Sequence, residues 1–575
     1  MKKTHERLFL LTLASVPLLT ACPGDDTVGN DEIGTTDTDT DTDTTTDTTT
    51  DTTDTTTDTT DTTDTTDTTD TTDTTDTTDT NVDPDALEQL LDFVGGADAI
   101  QAMTGFSSVA TGTRAIAGEG FTPGDTASQT GSFDATTSVD FASDSARIDY
   151  DRIVDFLGGL PLSNSEIYVG ELGYISGDDN ILVPGPTDAP MLSSRWASGR
   201  KQMALLHPHI LLRDVLAGDR TAVVSADFMP GCAGVVEVSD VVSPIKLCVA
   251  DGGELLRAET MINDFLLRDS ELVVSYANWG GDGVQFPADV SIALNDDDIH
   301  VETRTVEVDP VLDPVIFEIP DGGAFDQGLA DFGEYTHQFF QGFAAIGIAI
   351  DIPQLDVVPV ELTPGVWHLL GGTHNSLAVE QENGIIIVEA PNHPERADAI
   401  LDWVDATFPG KPVTHVIATH HHMDHAAGLR SFVAAGATVV VHPGSKNFLT
   451  TKVFAAPSTV APDTLAGAPM APTFVTVPPS KLLLDDALHP VIVGQLANSH
   501  ADDMVIAQVM ADENVFFESD LYNPGNGGST LSPVFAEELF YGIAEGNYNY
   551  SYANILAGGH GGAAPISELA DLVNP

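Results

Sequence analysis

The chain is 575 residues long and sets 88 Asp and Glu against 21 Lys and Arg, for a formal net charge of −67. That length exceeds what one ordinary hydrophobic core organises, so two or more folded units are expected. A surface of such uniform sign repels phosphate backbones and argues against a nucleic-acid partner.

Residues 1–21, within "MKKTHERLFLLTLASVPLLTAC", have the basic start and short apolar run of a secretory signal. The run is too short to span a bilayer. Its ending, Leu19-Thr20-Ala21-Cys22, resembles a bacterial lipobox, which implies a lipid on Cys22. The chain is then an exported lipoprotein anchored on the periplasmic face or the cell surface of a bacterium; an ordinary cleaved signal is the alternative. Residues 22–83 follow as an acidic spacer. From Gly34 to Thr80 they are almost only Thr and Asp, with nothing to build a core, and are expected to be disordered. Without the fifteen aspartates from Asp37 to Asp79 the net charge is still −52, so the rest of the chain is acidic in its own right.

Residues 84–320 read as an antiparallel, β-rich α+β domain. The segment 84–103 has apolar positions at helical spacing, interrupted by Gly95-Gly96. Alternating runs such as "SARIDYDRIVDF", "SELVVSYANW" and "DIHVETRTVEV" predict strands, and "RKQMALLHPHILLRDVLAG" predicts one helix or two. The order helix, meander, helix, strands resembles the half-barrel of the lipoprotein carriers LolA and LolB. That likeness implies a curved sheet that either cups an apolar ligand or docks on a second domain. Cys232 and Cys248 flank the strand-like "VVEVSDVVSPIKL" and pair in an oxidising compartment; two buried thiols are the alternative. His207 and His209 have ligand-like spacing but no companions, and read as packing residues. Residues 321–356, rich in Gly and Phe, read as a connector that forms an interdomain helix or a flap over substrate.

Residues 357–575 alternate strands and helices, the pattern of an α/β domain. "GVWHLLGG", "NSLAVEQ", "GIIIVEAP", "KPVTHVIATH" and "TVVVHP" predict strands; "PERADAILDWVDATF" and "AAGLRSFVAAG" predict helices. Between a strand and a helix stands "ATHHHMDH", residues 418–425. His420, His422 and Asp424 occupy alternate positions, which an extended chain directs to one side, and His425 joins them at the turn. Imidazole and carboxylate suit a borderline metal such as zinc. His500, Asp520 and His560 likewise follow predicted strands, at the carboxyl edge where open α/β sheets place their sites. His421, between two ligands, points away and reads as structural; His415 and His442 read as packing residues. His374 and Asn375 in "GGTHNS", and Tyr522 beside Asp520, are candidates for substrate contact.

In combination, "HHHMDH", "NSHADD", "FFESDLY" and "GGHGG" resemble the motifs of the metallo-β-lactamase superfamily. The resemblance covers about residues 357–575 and implies an αββα sandwich with two metal ions, taken as zinc. His420, His422 and His500 then hold the first ion, Asp424, His425 and His560 the second, and Asp520 bridges them. Ser499-His500-Ala501 replaces the frequent Gly-His-Thr around the third ligand. Two such ions activate water at neutral pH, and Asp424 is placed to accept its proton. The expected activity is hydrolysis of a small molecule bearing an ester-like, lactone, sulfate-ester, thioester or amide bond. A mononuclear iron oxidoreductase of the same fold and a non-catalytic ligand-binding lipoprotein are the alternatives. Neither substrate identity nor oligomeric state is legible in the sequence.

Overall fold

The computed structural model describes residues 85–574 apart from 156–158, 180–185, 192, 241–242, 321–355 and 372. The expected signal segment, Cys22, the Thr/Asp spacer and nearly all of the connector lie outside the described residues. Among the described residues, no helix is long and apolar enough to cross a membrane.

The first folded region opens with helices Ala86–Phe93 and Ala97–Ala102, separated at Gly95 and Gly96, whose φ values of 124° and 93° favour glycine. Thirteen strands follow in one antiparallel sheet built from two meanders. One runs from Gly105–Ile116 to Ala189–Pro190, the other from Ala222–Val224 to Asp297–Val308. They join where the first strand pairs with the last. Helices Ser193–Leu206 and His209–Ala217 bury Leu205, Leu211 and Leu212 against strand residues such as Val236, Ile262 and Val290. His207 and His209 sit at the break between these helices, stacked on Phe106 and Phe286 with ring centroids 4.9 and 3.8 Å apart. They are packing residues. A disulfide joins Cys232 to Cys248 and pins the paired strands Gly234–Val238 and Ile245–Val249.

A cleft of about 940 Å³ opens between these helices and the sheet, lined by Phe141, Trp196 and Met203 but also by Arg200, Lys201 and Arg220. The cations are held in ion pairs, Lys201 with Asp240 at 2.6 Å and Arg220 with the same carboxylate at 2.8 Å. The cleft is of mixed polarity and not an apolar cup.

Two hairpin tips of the sheet dock on the second region. Ile116, Phe265 and Leu266 are buried in one cluster with Leu369, Met423, Leu449 and Leu465. Full burial of each such side chain contributes roughly 1.5–3 kcal/mol. Beside them, Asp269 accepts from the backbone N–H of Thr459 and Val460 at 2.8 and 2.9 Å, and buried Arg268 reaches the Ala461 carbonyl at 3.1 Å.

The second region is a pair of facing sheets. Seven strands run in chain order from Val358–Thr363 to Thr473–Thr476, the first four antiparallel and the rest added parallel. Six more run from Leu482–Leu484 to Ala563–Pro565. Parallel neighbours need crossovers. Helix Pro394–Thr407 links Ile385–Val388 to Val413–Ile417 in the first sheet, and helix Pro533–Glu545 links Val515–Glu518 to Ile555–Gly558 in the second. Buried on both faces, these strands are near-continuous apolar runs, as in "IIIV" over 385–388. Val379, Ile386, Ile417, Val493, Ala507 and Phe517 meet between the sheets. Helices Pro394–Thr407 and Leu429–Ala434 cover the outer face of the first sheet, and Pro533–Glu545 and Ile566–Val573 cover that of the second. The layers are therefore αββα.

Candidate metal centre

Strand Val413–Ile417 ends just before the motif, and the chain turns into the short helix Met423–Ala426 with His422 as its N-cap. Alternation brings the rings of His420 and His422 together, centroids 4.5 Å apart. It sends His421 the other way, where its Nδ1 meets Asp503 Oδ1 at 2.8 Å. His500, Asp520 and His560 arrive from beyond strands Val491–Gln495, Val515–Glu518 and Ile555–Gly558. His374 comes from the turn between Val366–Leu370 and Ser376–Glu380.

These side chains form two clusters, each with its ligating atoms within 4.8 Å of one another: His420, His422, His500 and Asp520, and His374, Asp424, His425 and His560. Asp520 faces both. Its Oδ2 lies 3.4 Å from His420 Nε2 and 2.9 Å from His500 Nε2, and its Oδ1 lies 2.8 and 3.0 Å from the Nε2 atoms of His425 and His560.

The far nitrogens fix which atom each ring presents. His422 Nε2–H donates to the Gly120 carbonyl at 2.9 Å, His560 Nδ1–H to the Thr373 carbonyl at 2.9 Å, and His425 Nδ1–H to the Glu389 carboxylate. Ser519 Oγ donates to the same Glu389 at 2.9 Å. Asn498 Oδ1 accepts from the backbone N–H of His500 at 2.8 Å and shapes its loop. The inward atoms are left over. His420 Nε2, His422 Nδ1, His425 Nε2, His500 Nε2, Asp424 Oδ1 and Asp520 Oδ1 are buried and, apart from the approaches of these rings to the facing carboxylates of Asp520 and Glu119, have no hydrogen-bond partner among the described residues. Buried polar atoms are rarely orphaned in such number, and nitrogens and carboxylate oxygens orphaned towards a common centre suit cations.

Electrostatics agree with a cation-ready site. Burial, then His420 and His500, hold His422 well below the usual histidine range, and burial takes His425 down to about 3, so both offer lone pairs at neutral pH. Burial disfavours the charged form of Asp520, yet His425, His420 and His500 hold it well below the usual range. Against burial, the His374 hydrogen bond and charge hold Asp424 at about 2. Burial is likewise outweighed at His500 and His560, both raised by Asp520. Glu119, carried in from the first sheet, is pushed well above its ordinary value by burial and by Asp424 and Asp520.

The side chains of the three expected substrate contacts are held by the protein itself. His374 belongs to the second cluster, its Nε2 3.0 Å from Asp424 Oδ2. Asn375 donates from Nδ2 to the carbonyls of Gly558 and Gly561 at 3.1 and 2.9 Å, bracing the loop that carries His560. That loop needs its glycines, because a Cβ at Gly558 would lie 2.1 Å from the His560 carbonyl oxygen. Tyr522 is buried under helix Ile566–Val573, its hydroxyl donating to Glu568 at 2.9 Å, because the chain beyond Asp520 turns into the core. The sequence reading passed over Glu389, although a lone carboxylate closing the apolar run "IIIV" was a visible signal. Glu389 adopts φ 75°, a left-handed conformation that costs a non-glycine residue of order 1–3 kcal/mol and is tolerated where function fixes the side chain. It also passed over Glu119 and Gly120, some 300 residues from the motif, for which nothing local gave a signal.

The profile of the metallo-β-lactamase superfamily matches residues 369–535. The C-terminal region is a metallo-β-lactamase superfamily domain. Its curated relatives include the beta subunit of 2,4-dinitroanisole O-demethylase from Nocardioides sp. strain JS1661, 33% identical over 95 residues, 16% of this chain and 30% of that one. The alpha subunit is 31% identical over 77 residues, 13% and 24% of the two chains. The chain thus spans less than a third of the length of either relative. Among solved structures, a metallo-β-lactamase from Cronobacter sakazakii is 17% identical, with a TM-score of 0.27 over 36% of this chain and 81% of its own. The Rm3 metallo-β-lactamase is 14% identical, with a TM-score of 0.29 over 38% and 92%.

Proposed function

We propose that the chain is an exported, lipid-anchored hydrolase with two zinc ions per chain. The observation that carries this reading is the convergence of unpartnered, buried donor atoms on two adjacent positions with Asp520 between them. His420, His422 and His500 would hold one ion and Asp424, His425 and His560 the other, with Asp520 facing both clusters, while His374 positions Asp424 through its Oδ2. The ions would supply hydroxide at neutral pH, by lowering the pKa of water from 15.7 towards about 7, and positive charge for a developing oxyanion.

The chain's own residues do the rest. Asp424, positioned by His374, would receive the proton of the attacking water on the carboxylate oxygen that the second ion leaves free. Glu389, Thr373 and Gly120 lock the tautomers of His425, His560 and His422, so that ordering the site is complete before substrate arrives.

Substrates of this reading are small molecules with an ester-like, lactone, sulfate-ester, thioester or amide bond. The names of the O-demethylase relatives add an aryl methyl ether. A panel covering these bonds, run on zinc-loaded protein with His422→Ala beside it, tests the reading. Turnover of one class by the parent and background rates from the variant are expected. Equal rates from both would remove the site from the chemistry.

A further inference from the structure

The loop between strands Gly105–Ile116 and Ser128–Asp140 of the first sheet lies against the metal centre of the second region, fastened on several sides. Ile116, at its root, is buried among Leu369, Met423 and Leu449. Met423 N–H donates to the Gly118 carbonyl at 3.3 Å and to Glu119 Oε1 at 3.2 Å. Asp502 N–H donates to the Phe121 carbonyl at 2.9 Å, and Thr122 Oγ1 donates to the Asp502 carboxylate at 3.0 Å. Both anchor points on the second region adjoin candidate ligands: Met423 stands between His422 and Asp424, and Asp502 follows His500 by two residues.

This fastening delivers one carboxylate. Glu119 Oε2 lies 3.3 Å from His422 Nδ1. The tautomer of His422 gives that distance its meaning. Its Nε2 faces the Gly120 carbonyl, which can only accept, so Nε2 carries the hydrogen and Nδ1 presents a lone pair. A carboxylate oxygen facing that lone pair needs a cation between them, either a proton on Glu119 or a metal ion. Neighbouring donors on one zinc at about 2.0–2.2 Å stand roughly 3–3.4 Å apart, and Glu119 Oε2 lies at such a separation from His422 Nδ1.

We propose that Glu119 is a donor to the first metal position, alongside His420, His422 and His500, so that the N-terminal sheet completes the metal centre of the C-terminal domain. The proposal rests on the dinuclear reading and deepens it. It gives the first region a task at the site: its loop supplies one donor through Glu119 and orients another through the Gly120 carbonyl. It also lowers the positive charge at the first ion.

The test is metal binding by the full chain. Chelated protein is titrated with Zn²⁺, and the Co²⁺-substituted form is followed by its visible absorption, for the parent, Glu119→Gln, Glu119→Asp and Thr122→Val. The parent is expected to bind two ions. Glu119→Gln, nearly identical in shape, should weaken one of the two by about 10- to 100-fold, the range for groups that hold a metal or its ligands. It should also alter the Co²⁺ bands of that site alone. Glu119→Asp should recover part of the loss, and Thr122→Val, which removes one fastening of the loop and leaves Glu119 in place, should weaken the same ion less than Glu119→Gln does. Circular dichroism confirms that each variant is folded. Two ions bound by Glu119→Gln with the parent's affinities and spectrum would overturn the proposal and leave the dinuclear reading standing. A parent that binds no metal would overturn both.

Discussion

The two halves of the metal centre are supported differently. Among the described residues, the histidines of the second cluster take their support from the second region: Glu389 and Ser519 hold His425, and Thr373 and Asn375 hold His560 and its loop. The first cluster borrows part of its support from another domain, because His422 takes its orienting carbonyl from Gly120. One half is thus set by the αββα core, and the other depends on how a hairpin of the N-terminal sheet is docked. A superfamily domain can therefore acquire a dependence on its neighbour without any change in its own ligands.

Three perturbations separate or join the halves. The largest effect is expected from Asp520→Asn, since this carboxylate faces both clusters; loss of tight binding of both ions and fall of hydrolysis to background follow, read by metal analysis after dialysis. Glu389→Gln should act on one half. It removes the anionic partner of His425, so the second ion should bind about 10- to 100-fold more weakly while the first keeps its affinity, a difference that a two-site titration resolves. Equal weakening of both ions would show the halves to be coupled more tightly than their supports suggest.

Acid should affect the halves alike and gradually. His500 in the first and His560 in the second are both raised by Asp520, so protons compete with metal at one ligand of each. Affinity for both ions should fall as the pH drops below about 7, through the histidine range. For metal-free protein the sign reverses. A histidine whose folded value is raised stabilises the fold fully below its unfolded value and loses that contribution as pH rises through the raised one. Thermal melts of chelated and zinc-loaded protein between pH 5.5 and 8.5 should therefore diverge with rising pH, the loaded form gaining. Parallel curves would contradict the assignment of His500 and His560.

Much of the second region was legible because its signals are local. The strand "GIIIVEAP" and the helix "PERADAILDWVDATF" have unambiguous apolar patterns, and alternation in "HHHMDH" by itself separates His420 and His422 from His421. Asn375 and Tyr522 were misread for one reason. Proximity in sequence to a ligand says nothing about which way the next side chain turns, and both turn to brace structure. The contact of His374 with Asp424 depends on two loops meeting, which no local pattern encodes. The contact of Glu119 and Gly120 with His422 joins positions 302 or more residues apart, and no pattern along the chain encodes it.

The central claim, a two-position metal centre spanned by Asp520, is tested most directly by counting the metal in purified chain beside His422→Ala. The account predicts close to two zinc ions per parent chain and a clear loss in the variant. Iron in place of zinc would move the chemistry to another class, and a parent chain without tightly bound metal would contradict the account.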